Sequence, residues 1–208
     1  MSQPPKGAIV RGEWIANQSA KGNRSYAKVR GLIQYIAYGR YADHLDQSPK
    51  QRDVWLDHNG QVAPHETVRQ WAKEKVHRYG YEHTYQMLLS TRHGGLPATD
   101  FNRALQQGSD ISQVLEWKYM VHQDTDNQHA HAILFSREKL PNGRYKEWQQ
   151  AMQAELERLQ TERHQERQLE LAQEMIPPAG VEQAMDQAAA DSLSAAEKTR
   201  HQGWESGL

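Results

Sequence analysis

The chain has 208 residues, of which 37% are hydrophobic, 25% are charged and none is cysteine, and its formal net charge is −1. This length suits one ordinary domain plus an appendage, because domains cluster near roughly 100–150 residues. Without cysteine there are no disulfides and no thiolate metal sites, so any metal must use His, Asp or Glu. No apolar run approaches the ~20 residues that cross a bilayer, and the start has no apolar signal segment. We therefore expect a cytoplasmic protein that does not insert into membranes.

The charge is unevenly distributed along the chain. Lys and Arg outnumber Asp and Glu over residues 1–80, whereas acidic residues dominate over residues 141–208. Because nucleic acid responds to the local field rather than to the net charge, an overall charge near zero does not exclude DNA binding by the N-terminal part.

In chain order, the first predicted elements are a strand, a helix and a hairpin. Residues 7–15 are apolar and β-branched enough for a strand. Over residues 25–38 apolar residues recur at helical spacing, Ser25 can cap the start of this helix, and Gly39 can end it. The pair Asn59-Gly60 readily takes the positive φ angles of a tight turn, which predicts a small hairpin around it.

The remaining elements follow from the same rules. They are a helix over 65–79, a central strand over 84–92, a short helix capped by Thr99 and ending near Gln107, a turn at Pro141-Asn142-Gly143, and a long polar helix from Lys146 that Pro177-Pro178 interrupts. Between these elements, apolar stretches at 114–121 and 130–135 flank a polar turn over 123–128. This pattern predicts two adjacent antiparallel strands.

That predicted strand pair carries three histidines. Side chains alternate between the faces of a strand, so His129 and His131 point to the same side, and the turn can bring His122 beside them. Three neutral imidazoles form a capable divalent-metal site, with coordination positions left open as catalytic sites require. Asp124 and Asp126 lie in the turn, where one of them can accept the second ring N–H of a ligand histidine.

The identity of the metal stays open at this point. Imidazole donors suit Zn, Mn, Ni or Co, while physiological phosphate chemistry often uses Mg. A single His-x-His is common and usually without function. The third histidine, the two carboxylates and the flanking apolar strands are what favour a metal site here.

The run His122-x-Asp124-Thr-Asp126-Asn127-x-His129-x-His131 resembles the third motif of conjugative relaxases, within the HUH endonuclease superfamily, and its spacing is most similar to the MOBP branch. Two shorter matches occur in the order of the family's motifs. Leu32-Ile33-Gln34-Tyr35-Ile36 resembles the tyrosine helix of the first motif, and Leu88-Leu89-Ser90 resembles the strand of the second. Together the matches cover roughly residues 7–165.

The resemblance implies a relaxase that nicks one DNA strand at a plasmid or integrative-element transfer origin. The expected products are a 5′-phosphotyrosine and a free 3′-hydroxyl. The metal, expected to be Mg or Mn, polarises the scissile phosphate, a tyrosine attacks it, and a nearby His or Asp takes the phenolic proton. Single-stranded DNA and other transfer-complex proteins are the implied partners.

The resemblance also suggests roles for individual residues. Tyr35 fits the nucleophile best, with Tyr38, one helical turn further, as the alternative. Asp124 is the candidate base, and Asp126 and Asn127 are candidates to support the ligand histidines. The candidate DNA contacts are Ser90, Arg24, Lys28, Arg30 and Arg40, each of which can reach a phosphate.

Three other functions fit some of the same residues. Rolling-circle replication initiators and single-tyrosine transposases also pair a His-x-His motif with tyrosine, but their nucleophile lies well downstream of it. Here the last tyrosine is Tyr145, fourteen residues past His131. The third alternative is a non-catalytic metal- or DNA-binding module, which predicts DNA affinity without nicking.

The fold that the resemblance implies is α+β. It has a central antiparallel sheet of about five strands, the histidines on its central strands, and the tyrosine helix packed across one face. We expect a nicking domain over residues 1–165 and an acidic, Ala/Gln/Glu-rich helical extension over 166–208. The chain can be a compact natural form or a piece of a longer relaxase.

Overall fold

The structure, a computed structural model, describes residues 7–39, 53–92, 95–112, 114–123 and 127–174. Within these ranges the chain is α+β, with a six-stranded antiparallel sheet and four helices. The elements are β1 (Ala8–Ala16), α1 (Ala27–Tyr38), β2 (Trp55–Asp57), β3 (Val62–Ala63), α2 (His65–His77), β4 (His83–Thr91), α3 (Ala98–Ser112), β5 (Trp117–His122), β6 (His129–Ser136) and α4 (Asn142–Glu174).

The histidine-bearing strands lie in the middle of the sheet. The strand order is β1-β4-β6-β5-β2-β3, and each neighbouring pair is antiparallel. The predicted antiparallel pairing of the two histidine strands is confirmed by the direct pairing of β5 with β6. Because β4 pairs with the other edge of β6, the candidate metal site is supported by strands on both sides.

Alternate residues of the sheet face two separate apolar cores. On one face, Met120 and Ile133 pack with buried residues of α1 and α2. On the other face, Tyr119 and Leu134 pack with α3 and α4. Because β5 and β6 are covered on both sides, their side chains are almost all buried. The central strands thus lie between two helical layers.

The chain divides between His164 and Gln165 into two units, and the layers above belong to the first. Of the second unit, the structure describes the last turns of α4, through Glu174. The predicted boundary at residue 165 stays a prediction. None of the helices in the described part of the chain is long and apolar enough to cross a membrane.

Several sequence predictions agree with these bounds. The hairpin around Asn59-Gly60 is confirmed as β2 and β3, with Gly60 at a φ of 78°. Gly39 ends α1 as predicted. Ser25 is not the N-cap residue, because α1 begins at Ala27 with Tyr26 before it, but the Ser25 hydroxyl accepts a hydrogen bond from the backbone N–H of Ala27 (3.4 Å). The sheet has one strand more than expected.

Two helix boundaries differ from the prediction. α3 begins at Ala98, so Thr99 is not its cap, and the helix continues past Gly108 to Ser112. α4 begins at Asn142, where a turn was predicted. Pro141 accepts a hydrogen bond from the backbone N–H of Tyr145 (2.9 Å), which closes the first turn of the helix. A proline suits this position because its fixed φ is compatible with the start of a helix.

The continuation of α3 through Gly108 depends on close packing against α4. A Cβ atom at Gly108 would overlap the ring of Trp148, whereas a Cβ at Gly31, exposed on α1, meets no atom within 4 Å. We expect Gly108→Ala to lower the free energy of unfolding by about 1–3 kcal/mol, as overpacking of a core does. Gly31→Ala should raise it by roughly 0.5–1 kcal/mol, because alanine favours the helix. Urea unfolding measures both, and a Gly108→Ala protein as stable as wild type would contradict this packing.

Candidate metal centre

Three histidines converge where β5 and β6 approach the turn between them. His129 and His131 are two residues apart on β6 and so project from one face, and His122, at the end of β5, lies directly opposite His129. One ring nitrogen of each histidine lies within 4.8 Å of those of the other two. His122 and His131 are buried, and His129 is half-buried. The predicted convergence is confirmed, and the three side chains are close enough to hold a metal ion.

The ring nitrogens are oriented by specific contacts. The Nδ1–H of His129 donates to the backbone carbonyl oxygen of Asn127 (3.0 Å), which leaves Nε2 of His129 with a lone pair. That Nε2 atom lies 3.3 Å from Nδ1 of His122. Nδ1 of His131 lies 3.1 Å from the side-chain amide nitrogen of Gln86 on β4. In His129 and His131 the orienting contact is therefore made by Nδ1, so the other ring nitrogen, Nε2, is the one left for a metal.

The donor set fits a divalent cation. Three imidazole nitrogens suit Zn, Mn, Co or Ni, and a site with three protein ligands leaves positions for substrate oxygens. The half-buried His129 keeps one side of the group accessible. These residues do not select one metal, so its identity is a matter for binding experiments.

Gln128 fixes the strand immediately before the histidine pair, a role that the sequence did not reveal. Its side-chain oxygen accepts hydrogen bonds from the backbone N–H groups of Gly95 (3.1 Å) and Leu96 (3.0 Å), and its amide nitrogen donates to the carbonyl of Leu96 (2.8 Å). The backbone carbonyl of Gln128 also accepts from the N–H of Thr91 (3.0 Å). The start of β6 is thus tied to the segment that follows β4. The sequence signal that could have indicated this role is strand alternation, because Gln128 directly precedes His129 and so points to the opposite face of the sheet.

Helix α1 places one of the two candidate tyrosines beside the histidines. The ring of Tyr35 lies edge-on to that of His131, with 6.2 Å between ring centroids, and 40% of Tyr35 is exposed. The ring of Tyr38 instead contacts His65 of α2, at 5.1 Å. Burial lowers the pKa of His65, whose Nδ1 accepts a hydrogen bond from the indole N–H of Trp55 (3.3 Å). Of the two, Tyr35 is the one in contact with the histidine group.

No family model matches the chain. No curated protein matches it at a significant level either. The relaxase resemblance therefore stays a prediction, and the function has to be argued from the arrangement of the side chains.

Tyr145 lies on the opposite side of the sheet from the histidines. It packs with the core that α3 and α4 form, and its ring contacts those of Tyr85 and Trp148. Burial, followed by the proximity of Tyr85, raises the pKa of Tyr145 to about 12. Because the sheet separates its hydroxyl from the three imidazoles, Tyr145 is not placed to act with them.

The predicted DNA contacts are in different environments. Ser90 lies on the face of the histidines, because it is the direct cross-strand partner of His129. Lys28 and Arg30 are exposed on α1. Arg24 is half-buried and donates a hydrogen bond to the carbonyl oxygen of Val76 at the end of α2 (3.4 Å), a contact internal to the protein. Arg40 falls outside the described residues.

The acidic residues of the turn cannot be placed. Asp124 and Asp126 fall outside the described residues, so their predicted roles as base and as histidine support stay predictions. Asn127, the other residue of the turn with a predicted role, contacts the ring of His129 through its backbone carbonyl oxygen. The support that was expected from side chains of the turn comes, for this histidine, from the main chain.

Arg11 is a basic residue on the histidine face that the sequence analysis missed. It is the cross-strand partner of Leu88, which in turn pairs with His131, so the three residues form one row across the sheet. Arg11 is exposed, as is Glu13 two residues later on the same face. The face of the histidines is therefore exposed where it meets β1. Strand alternation could have assigned Arg11 to one face of β1, but it could not have shown that Arg11 lies in the same row of the sheet as His131.

Proposed function

We propose that the protein is a metal-dependent relaxase that nicks one DNA strand at the transfer origin of a plasmid or integrative element. The observation that carries the proposal is the position of Tyr35. Its exposed ring lies edge-on to the ring of His131, which is one of the three histidines that can hold a metal ion. A phenol beside an open cation site combines a nucleophile with charge stabilisation, as phosphoryl transfer requires.

In the proposed reaction the phenolic oxygen of Tyr35 attacks the scissile phosphorus, and the bond from phosphorus to the 3′-oxygen breaks. The phenol loses its proton to a base, for which Asp124 is the candidate, and the departing 3′-oxygen takes up a proton. The three histidines would hold a divalent cation, which would supply positive charge that stabilises the transition state. One phosphodiester replaces another, so the step is reversible and the strand can be rejoined.

The open part of the histidine face supports a single strand as the substrate. Ser90 is next to His129 in the sheet, and Arg11 is exposed in the row of His131, so both can hold phosphates that flank the cut. Lys28 and Arg30, exposed on α1, add positive charge on the helix that carries Tyr35. A single strand leaves its bases free to stack on exposed rings such as that of Tyr35.

The position of Tyr145 argues against the related functions with a downstream nucleophile. A rolling-circle initiator or a single-tyrosine transposase would need that residue on the side of the histidines, and Tyr145 is half-buried against the opposite core. The nucleophile on α1, upstream of the histidines, is the arrangement expected of a relaxase.

The proposal is tested by forming the covalent adduct. The protein is incubated with labelled single-stranded fragments that tile the genetic element encoding it, with Mg²⁺, Mn²⁺ or EDTA, and denatured on a gel. We expect one fragment, on one strand, to give a protein–DNA adduct, with a free 3′-hydroxyl on the released piece. The adduct should not form when EDTA is present during the incubation. The same fragments in double-stranded form are the control and should react far less.

A protein that binds metal and these fragments without forming an adduct on any of them would be a binding module, and the relaxase proposal would fall. Adducts on every fragment alike would also contradict it, because a transfer origin is a single site.

A further inference from the structure

Gln86, on the neighbouring strand β4, contacts a ring nitrogen of His131 with its side chain. Its amide nitrogen lies 3.1 Å from Nδ1 of His131. Gln86 pairs directly with Ile133, so it reaches His131 diagonally, two residues along β6 and on the same face. The side chain is half-buried, which limits competition from water for this contact.

The amide of glutamine suits both protonation states of that nitrogen. A half-turn about the last side-chain bond exchanges its N–H₂ donor for its carbonyl acceptor. Gln86 can therefore donate to a bare Nδ1 or accept from a protonated one. Only the second arrangement leaves a lone pair on Nε2 of His131, the atom that is then available to a metal. An acceptor at this position fixes the tautomer and the orientation of a ligand imidazole, and raises its basicity.

We propose that Gln86 is a positioning residue for the metal centre, which accepts the Nδ1–H of His131 and so presents Nε2 to the cation. The inference rests on the metal site of the proposed function but not on its DNA chemistry. It is therefore tested by metal binding alone, and can hold even if the protein does not nick DNA.

The test compares the zinc affinity of the whole protein with that of three variants by competition with a chromogenic chelator. Gln86→Leu keeps the approximate volume but removes the acceptor, and should weaken zinc binding about tenfold to a hundredfold. Gln86→Glu restores an acceptor of the same length and should bind at least as tightly as wild type. Gln160→Leu is the matched control, because Gln160 is a buried glutamine of α4 whose amide donates to the carbonyl of Arg92 and not to a histidine, and it should not change the affinity.

The charge added by Gln86→Glu has its own control. Glu13 is the β1 partner of Gln86 on the same face, so the double variant Glu13→Gln/Gln86→Glu keeps the net charge. It should bind zinc as tightly as the single Glu variant. If Glu13→Gln/Gln86→Glu binds as weakly as Gln86→Leu, the gain came from charge and the positioning role is wrong.

A spectroscopic measurement is independent of any substitution. In the zinc-loaded wild-type protein, long-range ¹H–¹⁵N spectra of the histidine rings should show Nδ1 of His131 protonated. A bare Nδ1, or an unchanged zinc affinity in Gln86→Leu, would overturn the inference. If wild type binds zinc, Gln86→Leu weakens it and no DNA adduct forms, the inference stands while the proposed function fails.

Discussion

Tyr35→Phe should lower the initial rate of covalent adduct formation roughly a thousandfold or more, while Tyr38→Phe should leave this rate within about threefold of wild type. The reason is position, since the ring of Tyr35 contacts His131 and that of Tyr38 contacts His65. Loss of a nucleophile removes the covalent step itself, so no partial compensation is expected from neighbouring groups. The measurement is the initial rate of adduct formation on the reactive strand with Mn²⁺.

The two variants are well matched, because each removes one hydroxyl from the same helix. Tyr35 is exposed, so Tyr35→Phe should melt within a degree or two of wild type, and thermal unfolding checks that the loss is not one of folding. An active Tyr35→Phe with an inactive Tyr38→Phe would make Tyr38 the nucleophile and contradict the geometry. Full activity in both would place the reactive group outside α1.

His129→Ala should lower the affinity for divalent metal by more than the roughly tenfold to hundredfold typical of a supporting residue, because it removes one of the three imidazole donors that the described residues bring together. Isothermal titration with Zn²⁺, Mn²⁺ and Mg²⁺ measures this loss and shows which metal the site prefers. Metal should also raise the melting temperature of wild type, since a ligand that binds only the folded state stabilises it. That increase should disappear in His129→Ala and in EDTA.

His83→Ala is the control for this experiment. His83 is a half-buried histidine at the far end of β4, where its ring contacts Trp14. It should keep the metal affinity of wild type. Equal affinity in wild type and His129→Ala would refute the three-histidine site, as would a wild-type protein that binds none of these metals.

Much of the metal centre was predictable from the sequence because it depends on local rules. Strand alternation places His129 and His131 on one face, and a short turn forces β5 back alongside β6, which brings His122 opposite His129. The helical spacing of apolar residues likewise predicted α1. Each of these inferences uses residues within about ten positions of one another.

The contacts that orient the centre were not predictable in this way. Gln86 reaches His131 across 45 positions of sequence, and Gln128 reaches Leu96 across 32. Neither pairing follows from periodicity, because both depend on which strand lies beside β6. The choice between Tyr35 and Tyr38 is of the same kind. Both tyrosines are plausible on an isolated helix, and only the rotation of α1 against the sheet separates them.

The packing of α1 also has a consequence for how the centre tolerates change. Ile33 and Ile36 of this helix share an apolar core with Met120 and Ile133 of the sheet, so these side chains act as a spacer between the helix of Tyr35 and the strands of the histidines. The thickness of that spacer sets the height of the phenol above the imidazoles. Substitutions in this core can therefore change the distance between the phenol of Tyr35 and the imidazoles without touching either, and with it the reach of the proposed nucleophile.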